Sequence, residues 1–457
     1  MARKASIAHS CKPWLSAAGG FSPICADEMW ANGTGKDLTM PTVAVISHVW
    51  IGHIPAYHRL LTERLLLAGH RVISLAPCGR QDLAIDAGPV ELHHCTFGQT
   101  PADMVNAEHA VRNPSFARRL ADGVGIYSVL QRSGFAVALR AARLWRGTHR
   151  TLTGIERRIG GSTDLVVLVY PGVGYYAERL PATLVSRLLP RPWTGIWNGP
   201  VQLQTGAPAT AGSIFRARTC RAVIVPDPWL RDRLLAKDSD WRVLAMPEIA
   251  DVRPPASENP QVRRLRAAAG SRRIVGLLGN INRRKGILSF LEMAVHSRER
   301  DLPLFFVAAG DFSPTSCGND YAALAAACTS APNNFLFLPD RLTDGPEFNA
   351  HVDACDVVFA AYIDFPYQSN LLTKAAAFAK PVVVSRGFVM EKRTVEYNLG
   401  LVVPQGDACA ALDAVCVLLE EKAMARLQPR WSDYLRENSP EALDRLFAGL
   451  LAPPTSK

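Results

Sequence analysis

Two stretches of this chain place residues whose types and spacing suit phosphate chemistry. The first is Leu277-Leu278-Gly279-Asn280-Ile281-Asn282-Arg283-Arg284-Lys285-Gly286. A glycine at the end of an apolar run lets a ligand approach the backbone closely, and three consecutive cations can neutralise a diphosphate. The second is Tyr362-Ile363-Asp364-Phe365-Pro366-Tyr367-Gln368-Ser369-Asn370, which leads into the helical pattern Leu371 to Ala379. Ser369 or Asn370 is a good N-cap, and the free N–H groups and dipole of a helix start receive phosphate. A basic turn and a helix start together make a grip for a doubly charged leaving group.

Elements must exist to carry these stretches, and the pattern supplies them. Thr42 to Ser47 reads as a buried strand, His58 to Ala68 as a helix closed by Gly69, and Arg71 to Ala76 as the next strand. Asp164 to Val169, Gly195 to Trp197 and Ala222 to Val225 repeat the strand signal. Pro247 to Pro260 holds four prolines, the composition of a connection. A second strand series follows at Arg273 to Leu278, Leu304 to Ala308, Asn334 to Leu338, Val357 to Ala361 and Pro381 to Ser385. Strands alternating with helices predict two doubly wound α/β halves, with ligands gathering beyond the carboxyl ends of the strands in the cleft between them. The expected organisation is an extension at 1–40, a first Rossmann-like domain at 41–250, a linker at 251–270, a second domain at 271–407 and helices at 408–457 that can pack back across the junction. The extension reads as disordered, and Met40, directly before the first strand, is an alternative start.

The second series resembles the nucleotide-sugar half of the retaining GT-B glycosyltransferases, the glycosyl transferases group 1 family. Gly279 stands before Lys285-Gly286 at that family's spacing, followed by Cys355-Asp356-Val357-Val358, Lys380-Pro381-Val382-Val383-Val384-Ser385, Gly400-Leu401-Val402-Val403 and Gly406-Asp407. Gly69-His70-Arg71-Val72 echoes a step of the family's acceptor domain. The resemblance implies an α/β GT-B fold, two Rossmann-like doubly wound domains facing across a cleft. It implies sugar transfer with retention from a nucleotide-sugar donor to a saccharide or lipid-linked acceptor, in polysaccharide or glycolipid biosynthesis, without metal or other cofactor. Lys285, Arg284 and His48 are then the catalytic candidates. Gly279, Asn280, Asn282, Arg283, Asp364, Ser369, Asn370, Leu371, Thr373 and Lys374 are the donor-binding candidates. Gly52, His53, Tyr170 and Asn198, beside strand ends rich in Gly and aromatics, are the acceptor-binding candidates.

The departures from the family pattern carry information of their own. Asn280 stands where the family has Arg, so Arg283 or Arg284 must supply that charge. Pro366 and Lys374 stand where the family has two glutamates; Asp364 is the nearest replacement carboxylate, and Lys374 a donor for ribose or phosphate. Two alternatives follow: a catalytically silent GT-B subunit that scaffolds a partner, and a nucleotide-sugar epimerase.

Charge is uneven along the chain. Of 51 basic and 41 acidic residues, residues 256–457 hold 22 of each, so the whole excess of ten lies in residues 1–255. Arg143, Arg146, Arg150 and Arg157 fall within about 60° of one another on a helical projection, opposite Val137, Leu144, Trp145, Leu152 and Ile155. The Arg140–Arg157 face therefore suits an anionic membrane surface. Nucleic acid is not expected as a partner, because aromatics are not interleaved with the cations. The ten cysteines include no CxxC and read as reduced thiols, and with no secretory apolar block the protein is expected in the cytoplasm, peripheral on the inner face of the membrane.

Overall fold

In the computed structural model, residues 40–48, 54–77, 92–97, 134–169, 171, 180–197 and 213–452 are described. Gly52, His53, Tyr170 and Asn198 lie outside them, as does the expected 1–40 extension apart from Met40.

The first half runs β1 (Thr42–Ile46), α1 (Ile54–Leu67), β2 (Arg71–Pro77), β3 (Leu92–Phe97), α2 (Gly134–Ile159), β4 (Leu165–Val169), α3 (Ala182–Leu188), β5 (Trp193–Ile196), β6 (Cys220–Val225), α4 (Pro228–Lys237) and β7 (Val243–Ala245). These strands form one parallel sheet ordered β3-β2-β1-β4-β5-β6-β7. β1 and β4 are buried along their whole length, as strands covered on both faces must be. One face packs Trp145, Leu152 and Ile155 of α2 against Ile46, Trp193 and Phe215. The other packs Leu61 and Leu65 of α1 against Val43, Val45 and Val167.

The second half runs α5 (Pro260–Ala269), β8 (Arg273–Leu278), α6 (Ile287–Glu299), β9 (Leu304–Ala309), α7 (Pro314–Cys317), α8 (Tyr321–Thr329), β10 (Phe335–Leu338), α9 (Pro346–Ala354), β11 (Val357–Ala360), α10 (Asn370–Ala377), β12 (Val382–Ser385), α11 (Val389–Glu396) and β13 (Gly400–Val403). Its six strands are again all parallel, in the order β10-β9-β8-β11-β12-β13. The order reverses between β8 and β11, a switch point of the kind where open α/β sheets bind ligands. The two phosphate-suited stretches leave the carboxyl ends of these two strands.

The tail comprises α12 (Ala408–Leu418), α13 (Glu421–Leu427), α14 (Trp431–Glu437) and α15 (Pro440–Leu451). Tyr434 of α14 is fully buried in the core of the second half, with Leu371, Leu372 and Met390. Leu443, Phe447 and Leu450 of α15 instead join the α1 face of the first sheet. Arg64 of α1 pairs with Asp444 there, and Arg242 donates to the Gly449 carbonyl at 3.2 Å. The chain thus crosses to the first half at Asn438 and Ser439.

Along α2, Arg143, Arg146, Arg150 and Arg157 are exposed while Trp145, Leu152 and Ile155 are buried. Leu139, one turn before Arg143, is 43% exposed on the same side. No helix among the described residues is long and apolar enough to cross a membrane.

A candidate nucleotide-sugar site

The basic turn is built by local rules. Gly279 ends β8 at φ +102. Buried Ile281 fixes the turn to the core, and the Asn282 side chain accepts from the Lys285 N–H at 3.1 Å, capping a 3₁₀ turn at Arg283–Lys285. Gly286 closes it at φ +80 and opens α6. A Cβ at Gly286 would sit 2.8 Å from the Ala361 carbonyl oxygen, so the turn lies directly against the end of β11. Gly286→Ala combines that clash with a left-handed backbone costing about 1–2 kcal/mol. We expect it to lower thermal stability and to weaken nucleotide binding at least tenfold, measured by melting and by calorimetric titration.

The two stretches meet. The Ile363 N–H donates to the Arg284 carbonyl at 2.8 Å, and an Arg284 guanidinium N–H donates to the Asp364 carbonyl at 2.6 Å. The same guanidinium lies over the rings of Phe365 and Tyr367. Lys285 Nζ lies 3.7 Å from the ring centroid of Tyr362 and 4.2 Å from that of Phe365. The Tyr362 hydroxyl is hydrogen-bonded to Ser369, which occupies the N-cap of α10 without capping it through its side chain. The Leu372 N–H donates to the Ser369 carbonyl at 3.0 Å, the Asn370 and Leu371 N–H groups before it receive no oxygen from the Ser369 side chain, and the Lys285 ammonium approaches them through one aromatic ring.

The cations have different partners. Arg283 pairs with Asp320 at 2.9 Å on the surface. Arg284 is held by a carbonyl and two rings. Lys285 has no carboxylate within ion-pair distance among the described residues. Burial, aided by neighbouring Arg284 and opposed by Glu248, brings its ammonium down to about 7. A cation stacked on aromatic faces with no counter-ion is a place prepared for an anion.

Other expected positions are placed differently. The Lys374 ammonium is fully buried and donates to the Asp251 carbonyl, to Asn349 Oδ1 at 2.8 Å and to Asp344 at 2.9 Å. Its three hydrogens are thereby committed, so Lys374 fastens α10 to the linker and α9, and the geometry does not suit the donor-binding role expected of it. Thr373 is also buried, its hydroxyl bonded to the Glu248 carbonyl at 3.2 Å and facing the Tyr434 hydroxyl. Leu371 is core; only its backbone can serve a ligand. Asp364 is exposed at φ +45, with its N–H donated to Gln405 at 2.8 Å. Asn280 is exposed beside half-buried Gly279. His48, at the end of β1, meets Thr148 Oγ1 of α2 at 2.9 Å, and burial holds its imidazole down at about 3, so it acts as a neutral ring. Asp238-Ser239-Asp240, an Asp-x-Asp run in the first half, spends Asp238 on Arg216 and on the Asp240 N–H.

A further cluster is invisible to motif reading. Glu248, the second residue after Met246 at the end of β7, is 2% exposed. Its carboxylate accepts from Arg393 of α11 and from the Tyr434 hydroxyl at 3.2 Å. Its N–H donates to Asn438 at 2.9 Å. Asp227, buried at the N-cap of α4, lies within electrostatic reach of the same arginine. Nothing in the spacing of Pro247-Glu248-Ile249 marks the residue. Beside this cluster, a cavity of about 680 Å³ is lined by Trp229 and Arg242 from the first half, by Lys392 and Arg393 of α11, and by Arg445 of α15.

The arrangement of two parallel sheets, a linker and a returning C-terminal helix is that of the GT-B class. A UDP-forming α,α-trehalose-phosphate synthase from Burkholderia xenovorans superposes with a TM-score of 0.64 at 13% identity, over 90% of this chain and 99% of that one. A sucrose-phosphate synthase from Thermosynechococcus elongatus gives 0.58 at 15%, over 90% and 98%. An Anabaena protein solved in complex with UDP and glucose gives 0.58 at 13%, over 90% and 99%. No curated protein sequence matches the chain. Residues 272–421 match the family described as Glycosyl transferases group 1. The match lies within the second half, and the chain as a whole has the GT-B fold.

Proposed function

We propose that the chain moves a sugar, with retention, from a nucleotide-sugar donor to a saccharide or lipid-linked acceptor in polysaccharide or glycolipid synthesis. The observation that carries this reading is Lys285, without a carboxylate partner, stacked on Tyr362 beside the start of α10. A departing nucleoside diphosphate brings charge to that point, and prearranged cations and N–H groups stabilise it there without reorganising. Lys285, Arg284 and the amides of α10 suffice for this task, so transfer is expected to persist in EDTA. With Lys285 acting as the ammonium that grips the diphosphate and Arg284 unable to give up its proton, the leaving phosphate itself accepts the acceptor's proton on the face from which it departs, which is the retaining outcome. The Anabaena neighbour was solved with UDP and glucose, a nucleoside diphosphate and a sugar of the kind that such a donor joins. Incubating the purified chain with a panel of UDP-, GDP- and ADP-sugars and an acceptor extract tests the reading: labelled sugar transferred from one of them supports it. Binding of none of the corresponding diphosphates overturns it in favour of the silent-subunit reading, which the committed Lys374 favours.

The exposed Arg143, Arg146, Arg150 and Arg157 stripe with Leu139 supports a lipid-linked acceptor reached from an anionic membrane surface. Changing Arg143, Arg146 and Arg150 to Ser together should weaken binding to anionic vesicles by about 1 kcal/mol per charge at low salt. Sedimentation with phosphatidylserine vesicles measures it, and unchanged binding removes the membrane assignment while leaving the transfer reaction in place.

A further inference from the structure

We propose that Gln405 is a positioning residue for the transfer reaction: its side-chain amide fixes the Asp364 peptide beside Arg284 and so sets where the Asp364 carboxylate meets the sugar of the bound donor. The inference rests on the function proposed above and deepens it with a residue outside the phosphate-facing stretches. Gln405 follows Pro404 just beyond β13. Its Oε1 accepts from the Asp364 N–H at 2.8 Å in the loop after β11, and its Nε2 donates to the Arg386 carbonyl at 3.1 Å in the loop after β12. One amide therefore laces together the carboxyl ends of three neighbouring strands. Only one orientation of that amide serves, since turning it over would set N–H against N–H and oxygen against oxygen.

The same peptide is gripped from the β8 side as well. The Asp364 carbonyl accepts from the Arg284 guanidinium at 2.6 Å, and the preceding Ile363 N–H donates to the Arg284 carbonyl at 2.8 Å. Phe365, the next residue, sets its ring 5.0 Å from that of Tyr362, and the Lys285 ammonium lies over both. Asp364 is thus pinned at its N–H, at its carbonyl and at the side chain that follows it. It holds φ +45, a left-handed conformation uncommon outside glycine that persists where the surroundings impose it. Its own side chain is exposed, and the carboxylate makes no hydrogen bond or ion pair among the described residues. A backbone held this firmly for a side chain that secures nothing in the fold is arranged for a ligand. Arg284 holds the carbonyl of this residue, so the carboxylate stands beside the diphosphate grip. The group joined to the diphosphate is the donor sugar, whose hydroxyls donate hydrogen bonds that an ionised carboxylate accepts.

The test is calorimetric titration of the full chain with UDP and UDP-glucose, GDP and GDP-mannose, and ADP and ADP-glucose, carried forward with the pair that the wild type binds. The ratio of the two dissociation constants in that pair isolates what the sugar contributes. Gln405→Met keeps the length of the side chain and removes both hydrogen bonds. It should bind the diphosphate within about twofold of the wild type and the nucleotide sugar about tenfold more weakly, the loss of one hydrogen bond to a charged group. Asp364→Asn, which keeps the size and removes the charge, should show the same pattern. Combining the two should add no more than about twofold, because the amide acts through the carboxylate. Gln405→Glu retains an oxygen for the Asp364 N–H and should keep most of the wild-type ratio, since the effect of its added charge on the diphosphate is common to both ligands. Both affinities falling together in Gln405→Met, an unmoved ratio, or losses that multiply in the double variant would each overturn the inference while leaving the proposed function in place. Should Gln405→Met fail to fold, Gln405→Ala removes the same two bonds and is read in the same way. A wild type that binds no member of the three pairs overturns the proposed function and this inference with it.

Discussion

Replacing Lys285 with Ala should lower sugar transfer by about 10²–10³-fold, the loss seen when one prearranged donor to a developing negative charge is removed. The magnitude follows from the position of the group. Its ammonium lies on two aromatic rings with no carboxylate at ion-pair distance among the described residues, so its charge can act on a ligand. Its titration near 7 gives the effect a pH signature. Because the protonated form binds the anion, transfer by the wild type should be fullest below pH 7 and decline above it; Lys285→Arg should flatten that decline. Stability runs in the opposite sense. The folded state holds this ammonium below its unfolded value, so the folded chain carries fewer protons between the two values, and stability contributed at this site rises with pH through that window. At a pH below 7, Lys285→Met should therefore melt at a higher temperature than the wild type while being nearly inactive. A variant that loses activity and stability together would show that the lysine serves the fold and not the ligand.

How far the sequence foretold this depends on the range over which the controlling physics acts. The two doubly wound halves were legible because hydrophobic period and turn chemistry are local: Thr42 to Ser47 and Arg273 to Leu278 are apolar runs between turn residues, and both are central strands. The short edge strands Leu92–Phe97 and Val243–Ala245 were not singled out, since their pairing comes from neighbouring strands and their own composition is mixed. The basic turn and the start of α10 were found by their residues, and their meeting was expected from topology. Lys374 shows where such reasoning stops. It occupies the position of a family glutamate, so a ligand-facing role was the natural expectation, yet its environment is set by Asp251, Asn349 and Asp344, from 25 to 123 residues distant along the chain. Glu248 is the converse case, an unremarkable acid in a proline-bounded linker that becomes central only because Arg393, Tyr434 and Asn438 converge on it from up to 190 residues away.

That convergence yields the largest expected loss of stability. Arg393→Ala should destabilise the chain by roughly 3–5 kcal/mol, the cost of stranding a buried charge. Arg393 and Glu248 are 6% and 2% exposed, and the arginine is the cation paired with that carboxylate. Removing it leaves Glu248 with only the Tyr434 hydroxyl at 3.2 Å for its charge, in a site where Asp227 adds repulsion. The carboxyl must then either remain ionised at full desolvation cost or take up a proton. If it takes up a proton, the deficit should shrink as pH falls, because protonation relieves the stranded charge in the folded state alone. Arg393→Met paired with Glu248→Gln should recover most of the loss, since a buried ion pair contributes little over a well-packed neutral replacement. Chemical denaturation of wild type, Arg393→Met, Glu248→Gln and the double variant, the four corners of a double-mutant cycle, with Arg393→Ala beside them, at pH 5 and at about pH 8 reads both claims. Additive losses, with the double variant no more stable than Arg393→Ala, would mean that the two side chains support the junction independently and that the pairing itself is not what holds the halves together.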